Sequence, residues 1–259
     1  FKKAIKLEPR YGMVYSFLGS LYRRENKIEE ALKTLKKGEE VLKKESSIYN
    51  ELGIVYAQAD NRKKAEENFI KAIILMPSSS TLWYNLWVLR EGGTTFIDAI
   101  AYEWIETKLR EKKFPQILEK YPNHPKSLFY QMKSSPLEVD SLVLLLQIAP
   151  VKHLCRKLVP ILKKTKRWEE SEEAFYRANE SFEKKEFRSA EKWLRRVIQL
   201  NPTIGVAYYN LGILLTKMNS PMLAIEAYIR YISLMPEDKE VESVKEEINF
   251  LIKTYNIFD

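Results

Sequence analysis

The chain has 259 residues, 45% of them hydrophobic, 12% aromatic and 30% charged, with 8 Gly, 11 Pro and one Cys. Collagen-like and low-complexity chains need far more Gly and Pro, a disulfide scaffold needs a partner for Cys155, and a disordered chain lacks the recurrent Leu, Ile, Tyr, Phe and Trp seen here. The formal charge of +8 is uneven: 16 cations face 11 acids in residues 1–77, 15 face 10 in 78–170, and 12 face 14 in 171–259. A basic surface suits acidic partners, whether protein, nucleic acid or anionic lipid, without choosing among them. The longest apolar runs, such as Leu142–Leu146, fall far short of the roughly 18 residues of a membrane span. With little Gly and no strand-like alternation, helix is the expected state.

In chain order, the opening residues FKKAIKLEPR read as the closing part of a helical unit, with Phe1, Ala4 and Pro9 at its marker positions. Those markers then recur. Gly19 and Gly53 stand 34 residues apart, as do Ala178 and Gly212. Tyr15 and Tyr49 precede their glycines by four, Leu18 and Leu52 by one, and Tyr22 and Tyr56 follow by three; Tyr208, Leu211 and Leu215 repeat the pattern around Gly212. Twelve residues after each small residue comes an alanine (Ala31, Ala65, Ala190, Ala224), and four later a large residue (Leu35, Phe69, Leu194, Tyr228). Pro77, Pro202 and Pro236 close three units, with Lys43 at that place in the first. Positions three and four apart share a helix face, so each unit holds two short amphipathic helices. The small residue on the first lets the second approach, and the proline stops the second.

Five or six spaced positions agree in each of four units, and on them the chain resembles the tetratricopeptide repeat family. The resemblance implies an all-α fold, a right-handed α-solenoid of helix-turn-helix repeats whose first helices line a concave groove, with stacked neighbours burying what one hairpin cannot. It divides the chain into an N-terminal repeat block over 1–79 that begins inside a repeat, a degenerate helical segment over 80–170, a C-terminal repeat pair over 171–238, and a capping helix over 239–259. In the middle segment the register is lost. Trp83 and Leu86 are in place but Trp87 stands where the small residue belongs, a helix-like stretch runs from Thr94 to Lys113 after Gly92-Gly93, and five prolines from Pro115 to Pro150 cut the remainder. Its expected arrangement is degenerate hairpins continuing the stack. In the last stretch Val241, Val244, Ile248 and Leu251 share one face, which suits a cap and a chain end.

Chemistry is scarce. His124 and His153 belong to no zinc spacing, no phosphate-binding or nucleophile-elbow motif occurs, and the paired glutamates fall on charged helix faces. No catalysis, metal or cofactor is expected. The groove positions that the resemblance implies are Ser16, Ser20, Arg23 and Arg24, then Asn50, Ile54, Ala57 and Gln58. They continue with Tyr84, Asn85 and Val88, then Phe175, Asn179, Tyr209, Asn210, Ile213 and Lys217. The carboxylate clamp of co-chaperone relatives is not formed: Asn179 and Asn210 match two of its positions, but Phe175 replaces the lysine, and Glu240 and Val244 replace the cations. A basic patch of Lys152, Arg156, Lys157, Lys163, Lys164, Lys166 and Arg167 has no acid from Ser141 to Trp168 and backs onto an apolar stripe. It reads first as a solvated helix face.

The function expected is a non-catalytic scaffold holding a partner protein or peptide, of acidic or amphipathic character, in the groove. A regulatory or targeting module of a larger enzyme is the alternative, and RNA binding through the basic segment a weaker one. The patch lacks interleaved aromatics, which disfavours nucleic acid, and Pro160 would interrupt an interfacial helix, though membrane contact stays open. One free Cys slightly favours a reducing cytoplasm. Oligomeric state is not readable.

Overall fold

A computed structural model describes residues 1–90, 139–148, 150 and 152–258. The described residues form thirteen helices and no strand. The chain divides into two units, Phe1–Lys113 with Asn256–Asp259, and Phe114–Tyr255. In the first lie α1 (Lys2–Leu7), α2 (Gly12–Arg24), α3 (Ile28–Val41), α4 (Ser46–Gln58), α5 (Arg62–Leu75) and α6 (Ser80–Arg90). In the second lie α7 (Val139–Ile148), α8 (Lys152–Leu162), α9 (Lys166–Glu183), α10 (Phe187–Leu200), α11 (Gly205–Lys217), α12 (Pro221–Leu234) and α13 (Val241–Thr254). The all-α fold of paired helices expected from the repeats is what the chain adopts: α2/α3, α4/α5, α9/α10 and α11/α12 are its hairpins. The expected helix over Thr94–Lys113, the four prolines from Pro115 to Pro136, and His124 fall outside the described residues.

Each hairpin turns in three residues by the same device. Asn26, Asp60, Lys185 and Asn219, each seven residues after its repeat's small residue, adopt φ of 58°, 56°, 60° and 55°. The next amide bonds back five residues, as Lys27 N–H does to the Tyr22 carbonyl at 2.8 Å and Asn61 N–H to that of Tyr56 at 2.8 Å. Glu186 to Ser181 and Ser220 to Leu215, both at 2.9 Å, complete the set. These bonds close a left-handed helix end that satisfies carbonyls otherwise left over. Asn and Asp tolerate that conformation better than Lys does. The second helices end alike: Glu8, Leu42, Met76, Asn201 and Met235 leave the helix with φ from −144° to −124° and bond back four residues. A following proline, present at all but Leu42, disfavours continuing the helix through these residues.

The small residues do what the spacing implied. A Cβ on Gly19 would stand 2.6 Å from Leu35, and one on Gly53 would stand 2.6 Å from the ring of Phe69. Gly212 meets Tyr228 in the same way. The large residue sixteen positions on therefore lies directly over the glycine, with Leu35, Phe69, Ala31 and Ala65 wholly buried. Repeats are joined by a second recurring contact. Tyr49 donates its hydroxyl to the Lys43 carbonyl at 2.8 Å, and Trp83, 34 residues on, donates its indole N–H to the Pro77 carbonyl at 2.8 Å.

The hairpin α7/α8 has its own core of Leu142, Val143, Leu145, Leu146, Leu158 and Leu162, so the apolar stripe behind the basic patch is structural. Pro160 does not interrupt α8. It sits inside the helix near its end, where it removes one backbone bond beside exposed residues, and Lys163 N–H bonds on to the Val159 carbonyl at 3.1 Å. The hairpin rests on the second helices of the C-terminal repeats, α7 against α10 and α8 against α12. Arg230 of α12 fixes it there. Its guanidinium donates to the carbonyl oxygens of Gln147 at 3.1 Å and Ile148 at 3.5 Å, the last turn of α7, while its Nε bonds buried Glu226 at 3.1 Å. A cation at a helix C-terminus is favoured by the helix dipole and fills orphan carbonyls. Gln147 adds a bond to the Gln199 carbonyl of α10 at 2.9 Å.

Candidate functional site

In the first unit the groove positions are mostly consumed by the stack itself. The Ser16 hydroxyl shares a 2.7 Å hydrogen bond with Ser47, Arg23 pairs with Glu51 at 3.4 Å, and Asn85 donates to Asn50 at 2.8 Å. Gln58 donates to Asn26 at 3.3 Å. These bonds cross between repeats. Ser16, Arg23, Ile54, Tyr84, Asn85 and Val88 are buried. Ser20, Asn50, Ala57 and Gln58 are half-buried and Arg24 is exposed. Burial pushes the Glu51 carboxyl above its ordinary range, and the opposing pull of Arg23 does not fully offset it. A charge pair taken out of water is held by mutual attraction and is costly to break from one side.

The second unit offers more. A cleft of about 100 Å³ lies between the first helices α9 and α11, with Leu194 of α10 among its walls. Its lining is Ala178, Asn179, Phe182, Leu194, Asn210 and Ile213. Asn179, Asn210 and Ile213 are thus brought together, while Phe175, Tyr209 and Lys217 line no part of it. Tyr209 instead packs its ring against Tyr231 at 5.2 Å and Tyr228 at 6.4 Å. Phe182 was missed from sequence, although its place one turn beyond Asn179 on α9 puts it on the same face. The volume is about three waters' worth, enough for a small aliphatic side chain. Two amides at an apolar cleft supply both donors and acceptors to an extended backbone.

The basic patch is divided. Arg156, Lys157, Lys163, Lys164 and Lys166 are exposed and Arg167 half-buried, while the side chain of Lys152 falls outside the described residues. Lys163 lies over the ring of Trp168, 5.3 Å from its centre, so an aromatic does stand among these cations. Cys155 is half-buried, and burial pushes its thiol up to about 11. Burial likewise pushes the Tyr208 hydroxyl up to about 12, with the Arg230 guanidinium opposing it. Among the described residues, no three of His, Cys, Asp or Glu gather as a metal would require.

A family model described as tetratricopeptide repeat matches residues 14–41. No curated protein sequence matches the chain. Among solved structures, YrrB, a tetratricopeptide-repeat protein with an unusual peptide-binding site, is 17% identical, with 95% of this chain and 97% of that one covered at a TM-score of 0.34. Naa15/Naa10 bound to HypK-THB is 17% identical over 97% of this chain and 35% of that one, at a TM-score of 0.37. The pilF protein of Pseudomonas aeruginosa is 16% identical over 91% and 97%, at 0.30. The matched residues take in most of α2 and all of α3; the left-handed turn recurs in α4/α5, α9/α10 and α11/α12, and the close glycine contact in α4/α5 and α11/α12. Residues 14–41 thus match a tetratricopeptide repeat, and the other hairpins pair their helices in the same way.

Proposed function

We propose that this chain is a non-catalytic protein-interaction scaffold whose C-terminal repeat pair holds an extended segment of a partner protein. The segment lies across the first helices α9 and α11. An aliphatic side chain enters the cleft against Phe182, Leu194 and Ile213, while Asn179 and Asn210 exchange hydrogen bonds with the segment's backbone. The observation that carries this reading is the convergence of those two asparagines, 31 residues apart in sequence, on one apolar cleft. A rigid pair of hairpins presents the side chains already placed, so the ordering cost falls on the ligand. Main-chain bonds give affinity and the pocketed side chain gives selectivity, as in other peptide grooves.

A displayed-peptide selection against the folded chain tests it. Recovered peptides are expected to share one aliphatic position and to lose binding to Asn179→Ala/Asn210→Ala and to Ile213→Glu. Retention of full affinity by both variants refutes the reading.

A further inference from the structure

The outer face of α10 carries a feature that the cleft does not explain. Arg188, Lys192 and Arg196 stand at successive four-residue steps, so their side chains stack along one face over about 12 Å. Like charges at that spacing destabilise a helix unless something compensates them. Arg195 is paired with Glu191 at 2.9 Å and Arg196 with Glu170 of α9 at 3.5 Å, but Arg188 and Lys192 have no acidic partner among the described residues. The four cations line one groove of about 630 Å³, together with Glu191, Gln199 and the edge of Trp193. Trp193 is held from behind by the Arg177 guanidinium, 4.8 Å from its ring. Lys166, one turn before Glu170 on α9, is a further exposed cation.

We propose that this groove docks a short acidic segment of a partner protein, on the face of α10 opposite Leu194 and so apart from the cleft. Charge complementarity names the ligand class: Arg188 and Lys192, about 6 Å apart along α10 and without an acidic partner among the described residues, match carboxylates on an extended chain. The extent of the groove limits its length. Glu169, Glu172 and Glu173 are exposed on α9, in the same helical turns as the Glu170 that pairs with Arg196, and Glu191 lies within the groove. A polynucleotide tracking along this face meets those carboxylates, whereas a segment with three or four acids ends before them. The C-terminal repeat stretch is not basic, residues 171–259 carrying 12 cations against 14 acids, so local placement and not net charge makes the site.

The test measures the fluorescence anisotropy of a short labelled poly-glutamate peptide with the full chain. Arg188→Glu/Lys192→Glu is expected to weaken binding about tenfold or more, from two lost pairs and their replacement by repulsion. Arg188→Gln/Lys192→Gln is expected to weaken it less. Lys33→Glu/Lys37→Glu on exposed α3 makes the same net-charge change and is expected to leave binding intact. Equal losses in the α10 and α3 variants overturn the proposal, since binding would then follow net charge alone. Tighter binding of an oligo-uridine probe, lost in the α10 variant, also overturns it by assigning the groove to nucleic acid. Asn179→Ala/Asn210→Ala is expected to leave poly-glutamate binding unchanged, so this proposal and the cleft reading fail separately.

Discussion

Replacing Gly53 with alanine sets helix propensity against space. In the middle of a helix the exchange ordinarily gains about 1 kcal/mol. Here the new Cβ would stand 2.6 Å from Cδ1 and Cε1 of Phe69, about an ångström inside the distance at which carbon atoms attract. Phe69 is wholly buried, so its ring gives way only by moving the neighbours around it. Overpacking of that kind costs about 1–3 kcal/mol, and with the propensity gain set against the upper part of that range the net loss is about 1–2 kcal/mol. The third hairpin supplies the comparison, because it carries Ala178 opposite Leu194 at the equivalent places. Gly53→Ala/Phe69→Leu, which installs that pairing, is expected to be more stable than the sum of its single changes by at least about 1 kcal/mol. Native-state hydrogen exchange of the α4 and α5 amides reads the local free energy and avoids assuming that the repeats unfold as one. A Gly53→Ala chain about 1 kcal/mol more stable than the wild type refutes the close-approach account.

Arg23→Met strands a buried carboxylate and is expected to cost about 3 kcal/mol at neutral pH in urea denaturation, with Arg23→Met/Glu51→Leu recovering most of it. Because the folded Glu51 pKa is raised, protonation favours the fold. The stability it lends is fully present below the unfolded carboxyl pKa and is lost as pH rises through the folded value, so the Arg23→Met defect should shrink as the pH is lowered toward 4. Lys185→Gly relieves a left-handed lysine and is expected to stabilise α9/α10 by about 0.5 kcal/mol, read as a rise in Tm. The Cys155 thiol, pushed by burial from 9.0 to about 11, holds about a hundredth of the free thiolate at pH 8, and its reaction with a disulfide reagent should be slower in proportion than in denaturant. Arg230→Met/Glu226→Leu, which leaves no buried carboxylate stranded, is expected to loosen α7 from α12, seen as faster exchange of the α7 and α8 amides while α11 and α12 keep their protection.

The repeat register was legible because backbone geometry enforces it: a glycine under Leu35 or Phe69 and an alanine twelve residues on leave few alternatives. The turn was not. Asn26, Asp60, Lys185 and Asn219 share a conformation but not a residue type, and without glycine nothing in the sequence marks the left-handed position. The lining of the cleft was partly legible. Spacing put Asn179 and Asn210 at equivalent places on their first helices, but it could not show that Ser16, Arg23 and Asn85 find partners 28–35 residues away, since such pairs depend on the packing distance between repeats. Docking of α7/α8 on the second helices was hidden for the same reason, as Arg230 reaches a carbonyl 83 residues back. The cations of α10 drew no notice because they lie inside a repeat, where periodicity explains the buried face and leaves the outer one unread.

Amide exchange footprinting of the chain with a selected peptide locates the bound segment. Bound peptide is expected to slow exchange in α9 around Ala178–Phe182 and in α11 around Asn210–Ile213, with little change in α2 and α4. Protection confined to the N-terminal repeats, or none on either side of the cleft, would contradict the cleft reading.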